Sequence, residues 1–214
     1  MKNSHSILLE HYNKSFRQKP ALSLTAGPEA GQCPIETLVY RPTKANDFWK
    51  LCTIGASDHE MPERDIGLGR EASRRNEYVM FVDPRMEISR RRTEWLALHS
   101  ILQLVAQYTA QCSRNVTVSD TLEFTDDFGH RRCAILLLPE AMKRPDLVKC
   151  YTSKNKFITI YQVMPITARQ LDEKLRRQDG TYWLMEQFYT HDDEYNLIGM
   201  KSFAGTEMLE ERSS

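Results

Sequence analysis

The spacing of apolar positions divides the chain into helical and extended segments. Residues 4–17 carry Ile7, Leu8, Tyr12 and Phe16 close to helical spacing, which predicts a short amphipathic helix. Lys19–Pro34 is rich in Pro and Gly and reads as a linker. The first firm strand is expected at Ile35–Tyr40. A second covers Asp47–Ile54, where Phe48, Trp49, Leu51, Cys52 and Ile54 call for burial on both faces. Residues 55–74 read as a long polar loop. Asn76–Val82 (NEYVMFV) is a third strand, closed by Asp83-Pro84.

Thr93–Gln111 carries the clearest helical stripe: Trp95, Leu98, Leu102 and Val105, widened by Ile101, Leu104 and Tyr108. Thr93 can cap its start, although Arg90–Arg92 oppose the positive end of the helix dipole. Strands are expected at Asn115–Phe124 and Arg132–Leu138, paired as a hairpin through residues 126–130 and ended by Pro139. After a polar loop comes the strand Phe157–Met164, stopped by Pro165. Thr167 and Gln170 form a capping-box pattern that opens a helix over Ala168–Arg177. Asp179-Gly180 breaks it, and a short helix follows over Thr181–Tyr189. The tail from Asn196 is weakly patterned. About six strands with three or four unevenly interleaved helices point to an α+β (mixed α/β) single domain, with a largely antiparallel or mixed sheet flanked by helices.

Composition narrows the class. At 214 residues and 41% apolar content, the chain can bury a core without metal or disulfide staples. Basic and acidic residues balance at 29 each, so no global field for nucleic acid is present. The five cysteines, Cys33, Cys52, Cys112, Cys133 and Cys150, lack a C-x-x-C and fit buried thiols in a reducing cytosol. No signal-peptide or membrane-spanning run is found, so the expected location is cytoplasmic, with no membrane partner.

The stretch LCTIGASDHEM, residues 51–61, concentrates the polar chemistry. Ser57, Asp58, His59 and Glu60 stand side by side, but neighbouring residues rarely converge into a triad. The G-x-S-x-G elbow is absent. Asp58 is expected to cap a turn after a buried strand. His59, Glu60, His130, His191, Asp192 and Asp193 are possible metal ligands, yet none has the H-E-x-x-H spacing. Gly67-Leu68-Gly69-Arg70 is neither a dinucleotide fingerprint nor a Walker loop and reads as a turn. Arg74-Arg75, Ser89–Arg92, Lys143, Arg144 and Lys149 could make a basic patch, read as a solvated face or a site for an acidic protein. His99 reads as a boundary residue of its helix. Taken alone, these residues favour a binding domain over an enzyme, with no metal and no cofactor. A hydrolase or metal-dependent enzyme using Ser57-Asp58-His59-Glu60, and a nucleic-acid-associated regulator using the arginine clusters, stay open as alternatives.

The ordered set of segments resembles the Suppressor of fused (SUFU) domain family. DFWKLCTIGASDHEM at 47–61 looks like its aromatic strand leading into a Gly-x-Ser-Asp turn. NEYVMFVDP at 76–84, EWLALHSILQLVAQYTAQ at 94–111, VTVSDTLEF at 116–124, CAILLLPEAM at 133–142 and residues 157–188 resemble its later strands and helices. The resemblance implies a SUFU-like domain over residues 35–190. Residues 1–34 form a helix and linker before it, and 191–214 a partly flexible extension after it. It implies protein binding without catalysis. The compact form is similar to the bacterial stand-alone members, inferred to include toxin-immunity proteins, so the expected partner is a protein such as a toxin or an adjacent-gene product. The partner surface it implies is Ser57, Asp58, His59, Glu60, Met61 and the loop to Arg70.

Overall fold

The computed structural model describes residues 3–25, 34–62, 74–88, 93–111, 115–125, 129–139 and 142–188. Among them, eight strands form one sheet: β1 (Leu22–Thr25), β2 (Glu36–Tyr40), β3 (Trp49–Ile54), β4 (Asn76–Val82), β5 (Thr121–Thr125), β6 (Arg131–Leu137), β7 (Lys149–Ser153) and β8 (Lys156–Ile166). The helices are α1 (Ser4–Phe16), α2 (Thr93–Gln111), α3 (Ala168–Arg176) and α4 (Gly180–Glu186). The strand order is β1-β2-β3-β4-β8-β6-β5, with β7 also on β8. Every pairing is antiparallel except β4 with β8.

The long strand β8 organises the sheet. Thr159 pairs with Asn76 of β4 on one side and Lys149 of β7 on the other. Gln162 pairs with Val79 of β4 and Leu137 of β6. So β7 and β6 share one side of β8, one after the other, while β4 takes the opposite side.

Period-two alternation feeds two faces of the sheet. On one face, α2 lays Trp95, Leu98, Ile101, Leu102 and Val105 over Val39, Leu51, Met80, Leu136 and Val163. On the other face, α1 packs Leu8, Tyr12 and Phe16 against Leu38, Tyr40, Cys52, Phe81, Ile158 and Ile160. Farther along that face, Leu171, Leu184 and Phe188 of the α3–α4 region cover Cys133, Ile135, Leu137, Met164 and Ile166. The sheet is therefore sandwiched between helices, which explains why β4 is buried along its whole length.

The expected elements stand with four corrections. The segment expected as a linker holds β1, a four-residue edge strand paired to β2 through its backbone and too short to show a period. The polar loop ahead of β8 holds β7, joined to β8 by the two-residue turn Lys154-Asn155. The sheet thus has eight strands rather than six. Residues 115–120 are not strand: Asp120 accepts from the Thr117 amide at 3.0 Å, and Ser119 sits at φ 72°, so a side-chain-closed turn precedes β5. Pro165 does not stop β8, which runs on to Ile166. The β4 pairing ends at Gln162, so past it β8 has a strand on one side only, where a missing N–H is tolerated.

The capping box that opens α3 is present as expected. The Thr167 hydroxyl accepts from the Gln170 amide at 3.1 Å, and the Gln170 side chain accepts from the Thr167 amide at 2.9 Å. Gly180 lets α4 start directly beneath α3, since a Cβ there would lie 1.9 Å from the Lys174 carbonyl oxygen. Any side chain at that position would push the two helices apart.

Candidate functional site

The site grows from the end of β3. Ile54 closes the strand, and Gly55 turns the chain at φ 115°, a conformation that only glycine adopts without strain. A Cβ on Gly55 would also meet the Pro34 carbonyl oxygen at 2.6 Å. Ala56–Asp58 then form a single 3-10 turn, and the chain runs on extended from His59.

Beneath this turn lies Glu77, fully buried near the start of β4. Its carboxylate accepts from the Gly55 amide (3.0 Å), the Ser57 amide (3.0 Å), the Ser57 hydroxyl (2.8 Å) and the Thr53 hydroxyl (2.6 Å). The end of β3 and the turn thus converge four donors on one buried side chain. Thr53 also bridges the two strands, because its hydroxyl accepts from the Tyr78 amide at 2.9 Å just past the last β3–β4 pair, Cys52↔Val79. Burial pushes the Glu77 carboxyl above the usual glutamate range, while its four donors pull in the opposite direction.

Around that anchor, the side chains of the turn divide between core and solvent. Ser57 and Met61 are buried, at 1% and 3% exposure, whereas Asp58, His59 and Glu60 are exposed. Asp58 faces α1: one carboxylate oxygen lies 2.7 Å from His5 Nε2 and the other accepts from the Ser4 hydroxyl at 3.3 Å. The expected cap by Asp58 is thus supplied by Glu77 instead, and Asp58 fastens the start of α1 to the turn. Met61 packs into the core under α2.

Two arginines grip the outer strand of the loop. Arg75 donates to the Ser57 carbonyl at 2.6 Å and the Asp58 carbonyl at 3.1 Å, and reaches Glu60 at 3.4 Å. Arg74 donates to the Met61 carbonyl at 2.7 Å and lies 3.3 Å from Glu60. The Met61 amide bonds the Arg74 carbonyl at 2.8 Å. Arg74 and Arg75, read from sequence as part of a basic patch, therefore serve the loop itself. Arg144 pairs with Asp146 at 2.6 Å and donates to the Ser15 carbonyl at 2.7 Å. The Lys149 ammonium lies over the Phe157 ring at 4.8 Å. His99 stacks on Trp95 at the edge of the core, its Nε2 3.2 Å from the Thr37 hydroxyl. Arg70, the Gly67–Arg70 turn, Ser89–Arg92 and His191–Asp193 lie outside the described residues.

The arrangement commits the Ser57 hydroxyl to a buried carboxylate and gives Asp58 to a histidine of another element. Among the described residues, no cluster of three or more His, Cys, Asp or Glu could hold a metal ion. No helix of the described residues is long and apolar enough to cross a membrane. Glu77 and His5 escaped the sequence reading, and Arg75 entered it only as part of a basic patch. For Glu77 a signal was present: alternation places it on the same face of β4 as Val79 and Phe81, so a buried carboxylate needing donors follows from the pattern.

The family model described as Suppressor of fused protein (SUFU) matches residues 31–196. No curated protein matches the chain. Among solved structures, one described as the Sufu-Fu complex is similar with a TM-score of 0.58 at 13% identity, over 97% of this chain and 94% of that one. A putative SUFU homolog from Neisseria gonorrhoeae gives a TM-score of 0.50 at 12% identity, over 80% and 88% of the two chains. Drosophila Suppressor of Fused gives 0.55 at 14% identity over 89% of this chain, which spans only 48% of that longer one. At these identities the likeness establishes the shared fold.

Proposed function

This chain belongs to the Suppressor of fused protein family, and from that premise we propose that it is a protein-binding domain without catalytic activity. The observation that carries the reading is the grip of Glu77 on the turn. It turns the Ser57 hydroxyl inward and leaves Asp58, His59 and Glu60 as a braced, exposed rim. A nucleophilic serine would have to point the other way. A rim held by His5, Arg74 and Arg75 is suited to recognition, because little side-chain and loop entropy is left to lose on binding. The related protein described in a complex with Fu supports a protein as the class of partner.

In this reading Asp58, His59 and Glu60 contact the partner, Ser57 and Met61 support them from below, and Arg70 extends the surface along the loop. The body of the domain is residues 35–190, with α1 and β1 packed on it and 191–214 as an extension. The working setting is a bacterial cytoplasm, and the partner is a toxin or the product of an adjacent gene that the domain neutralises by binding.

Affinity capture of the tagged protein from its native cells, followed by mass spectrometry, supplies the partner. Asp58→Lys and Glu60→Lys then weaken the purified complex about tenfold or more without changing the melting temperature by more than a few degrees. Co-expression with the partner restores growth if the role is immunity. Unchanged affinity in both variants, with a remote surface controlling binding, would sink the proposal.

A further inference from the structure

Among the described residues the sheet has three outer strands, β1, β5 and β7, and two of them are guarded against further pairing. β5 carries Glu123 mid-strand, which pairs with Arg131, and Arg131 pairs in turn with Asp172. Lys174 reaches over the start of β5, donating to the Ser119 carbonyl at 2.9 Å and the Thr121 hydroxyl at 3.4 Å. β7 carries Lys149, and its register with β8 shifts between Tyr151 and Ser153. Charged side chains and bulges are the usual devices that keep an exposed edge from adding another strand. β1 has neither. Its residues Leu22, Ser23, Leu24 and Thr25 are uncharged and pair with β2 in unbroken register. Among the described residues no strand lies on its other side. The Glu36 carboxylate of β2 reaches β1 and is held there by the Ser23 hydroxyl. Leu22 pairs with Val39, which packs under α2, so Leu22 and Leu24 share the α2 face of the sheet. Leu24 packs against that core, while Leu22 is exposed.

We propose that β1 pairs with β1 of a second copy of this chain, antiparallel about a twofold axis at Ser23, and joins two sheets into a closed dimer. That register sets Leu22 opposite Leu24 of the second copy, and Leu24 opposite its Leu22, so both apolar pairs fall on the α2 face. Ser23 meets its own counterpart, and no charge of the strand opposes a like charge. A second copy suits this edge for three reasons. The strand is its own complement, as a twofold interface requires. Acidic and basic residues balance at 29 each, so two copies meet without net repulsion. The guarded edges at β5 and β7 give β1 no other strand to add to, so pairing closes at two copies instead of continuing into a filament. The inference goes beyond the protein-binding reading and does not depend on it. Thr25, Glu36 and Ile54 align across β1, β2 and β3, and Gly55 follows, so the rim begins at the Thr25 end of the seam. The twofold places the two rims at opposite ends of that seam.

A four-residue strand makes a small interface, so the association is weak and fills only at high concentration. Sedimentation velocity of the whole protein from about 1 µM to about 1 mM covers that range. Monomer is expected to give way to dimer as concentration rises, and hydrogen exchange at the amides of 22–25 to slow with it. Ser23→Lys and Ser23→Glu should each weaken dimerisation about fivefold at low salt, because like charges then face each other across the axis. An equal mixture of the two variants should recover the dimer, which a misfolded variant cannot do. Ser23 is exposed, so both variants should keep the thermal midpoint of wild type. A protein that stays monomeric over the whole range would overturn the proposal. A dimer that neither variant weakens, or a mixture no more dimeric than its components, would overturn it equally. None of these results bears on the rim as a site for another protein, which the affinity of Asp58→Lys and Glu60→Lys decides.

Discussion

The Ser57 hydroxyl donates a 2.8 Å hydrogen bond to the carboxylate of Glu77, across a separation of twenty residues in the chain. This contact converts a sequence that looks like loose catalytic chemistry into a fixed turn. It joins the end of β3 to the start of β4 inside the protein, and the exposed rim depends on it.

Removing the anchor should be costly, and changing its charge should not. Glu77→Ala orphans the buried amides of Gly55 and Ser57 and the Ser57 hydroxyl. At roughly 1–3 kcal/mol for each unsatisfied buried group, partly relieved by relaxation, the loss is expected to be about 3 kcal/mol or more. Glu77→Gln keeps one carbonyl oxygen for the Gly55 and Ser57 donors and can donate from its amide to Thr53, so its change should stay within about 1 kcal/mol. Urea denaturation of both variants at neutral pH checks this. An equal loss in the two would show that the charge itself holds the turn.

The same pair of proteins isolates a pH effect. Burial raises the folded-state pKa of Glu77 above its unfolded value of ~4.3. The folded state then binds the proton more tightly than the unfolded chain. The stability from Glu77 is fully present below the unfolded pKa and is lost as pH rises through the folded pKa. Wild type should therefore lose stability relative to Glu77→Gln as pH climbs from about 4 towards neutrality. A stability difference that stays flat with pH would contradict the raised pKa.

Gly55 is required for two reasons that act together. Gly55→Ala places a Cβ at φ 115° and 2.6 Å from the Pro34 carbonyl oxygen. Strain of about 1–3 kcal/mol in that backbone region adds to the displacement of Pro34. A fall in thermal midpoint of several degrees is expected, and a midpoint equal to wild type would show that Pro34 can yield freely.

The bond between Asp58 and His5 should matter more for local order than for stability. Both side chains are about half exposed, 43% for His5 and 44% for Asp58, so the pair is expected to contribute less than about 1 kcal/mol. His5→Ala should leave global unfolding nearly unchanged and speed amide hydrogen exchange in the first turn of α1. Exchange rates there identical to wild type would mean that Asn3, which caps that helix at 2.8 Å, suffices to hold its end.

Much of the fold was legible because its signals are local. The stripe from Trp95 to Val105 marked α2, Thr167 and Gln170 gave α3 its start, and the apolar residues of Asp47–Ile54 announced burial of β3 on both faces. The elements that were missed gain their order from pairing rather than from their own residues. Strand β1 is short and mostly exposed, and β7 spends half its side chains on solvent, so neither shows a period. Pro165 misled because a proline is forbidden only where an amide has a partner to serve, and the sheet decides that.

The sequence alone determined the class of the domain, the Gly-x-Ser-Asp turn as a feature to explain, and the absence of a recognisable catalytic spacing. Those depend on residue type and separation along the chain. The tertiary structure alone decided which way each polar side chain of the turn faces. That choice follows from a carboxylate buried on a neighbouring strand, which must find donors because water cannot reach it. Glu77 takes the Ser57 hydroxyl and the backbone of the turn, Asp58 goes to α1, and only what remains outside is available to a partner.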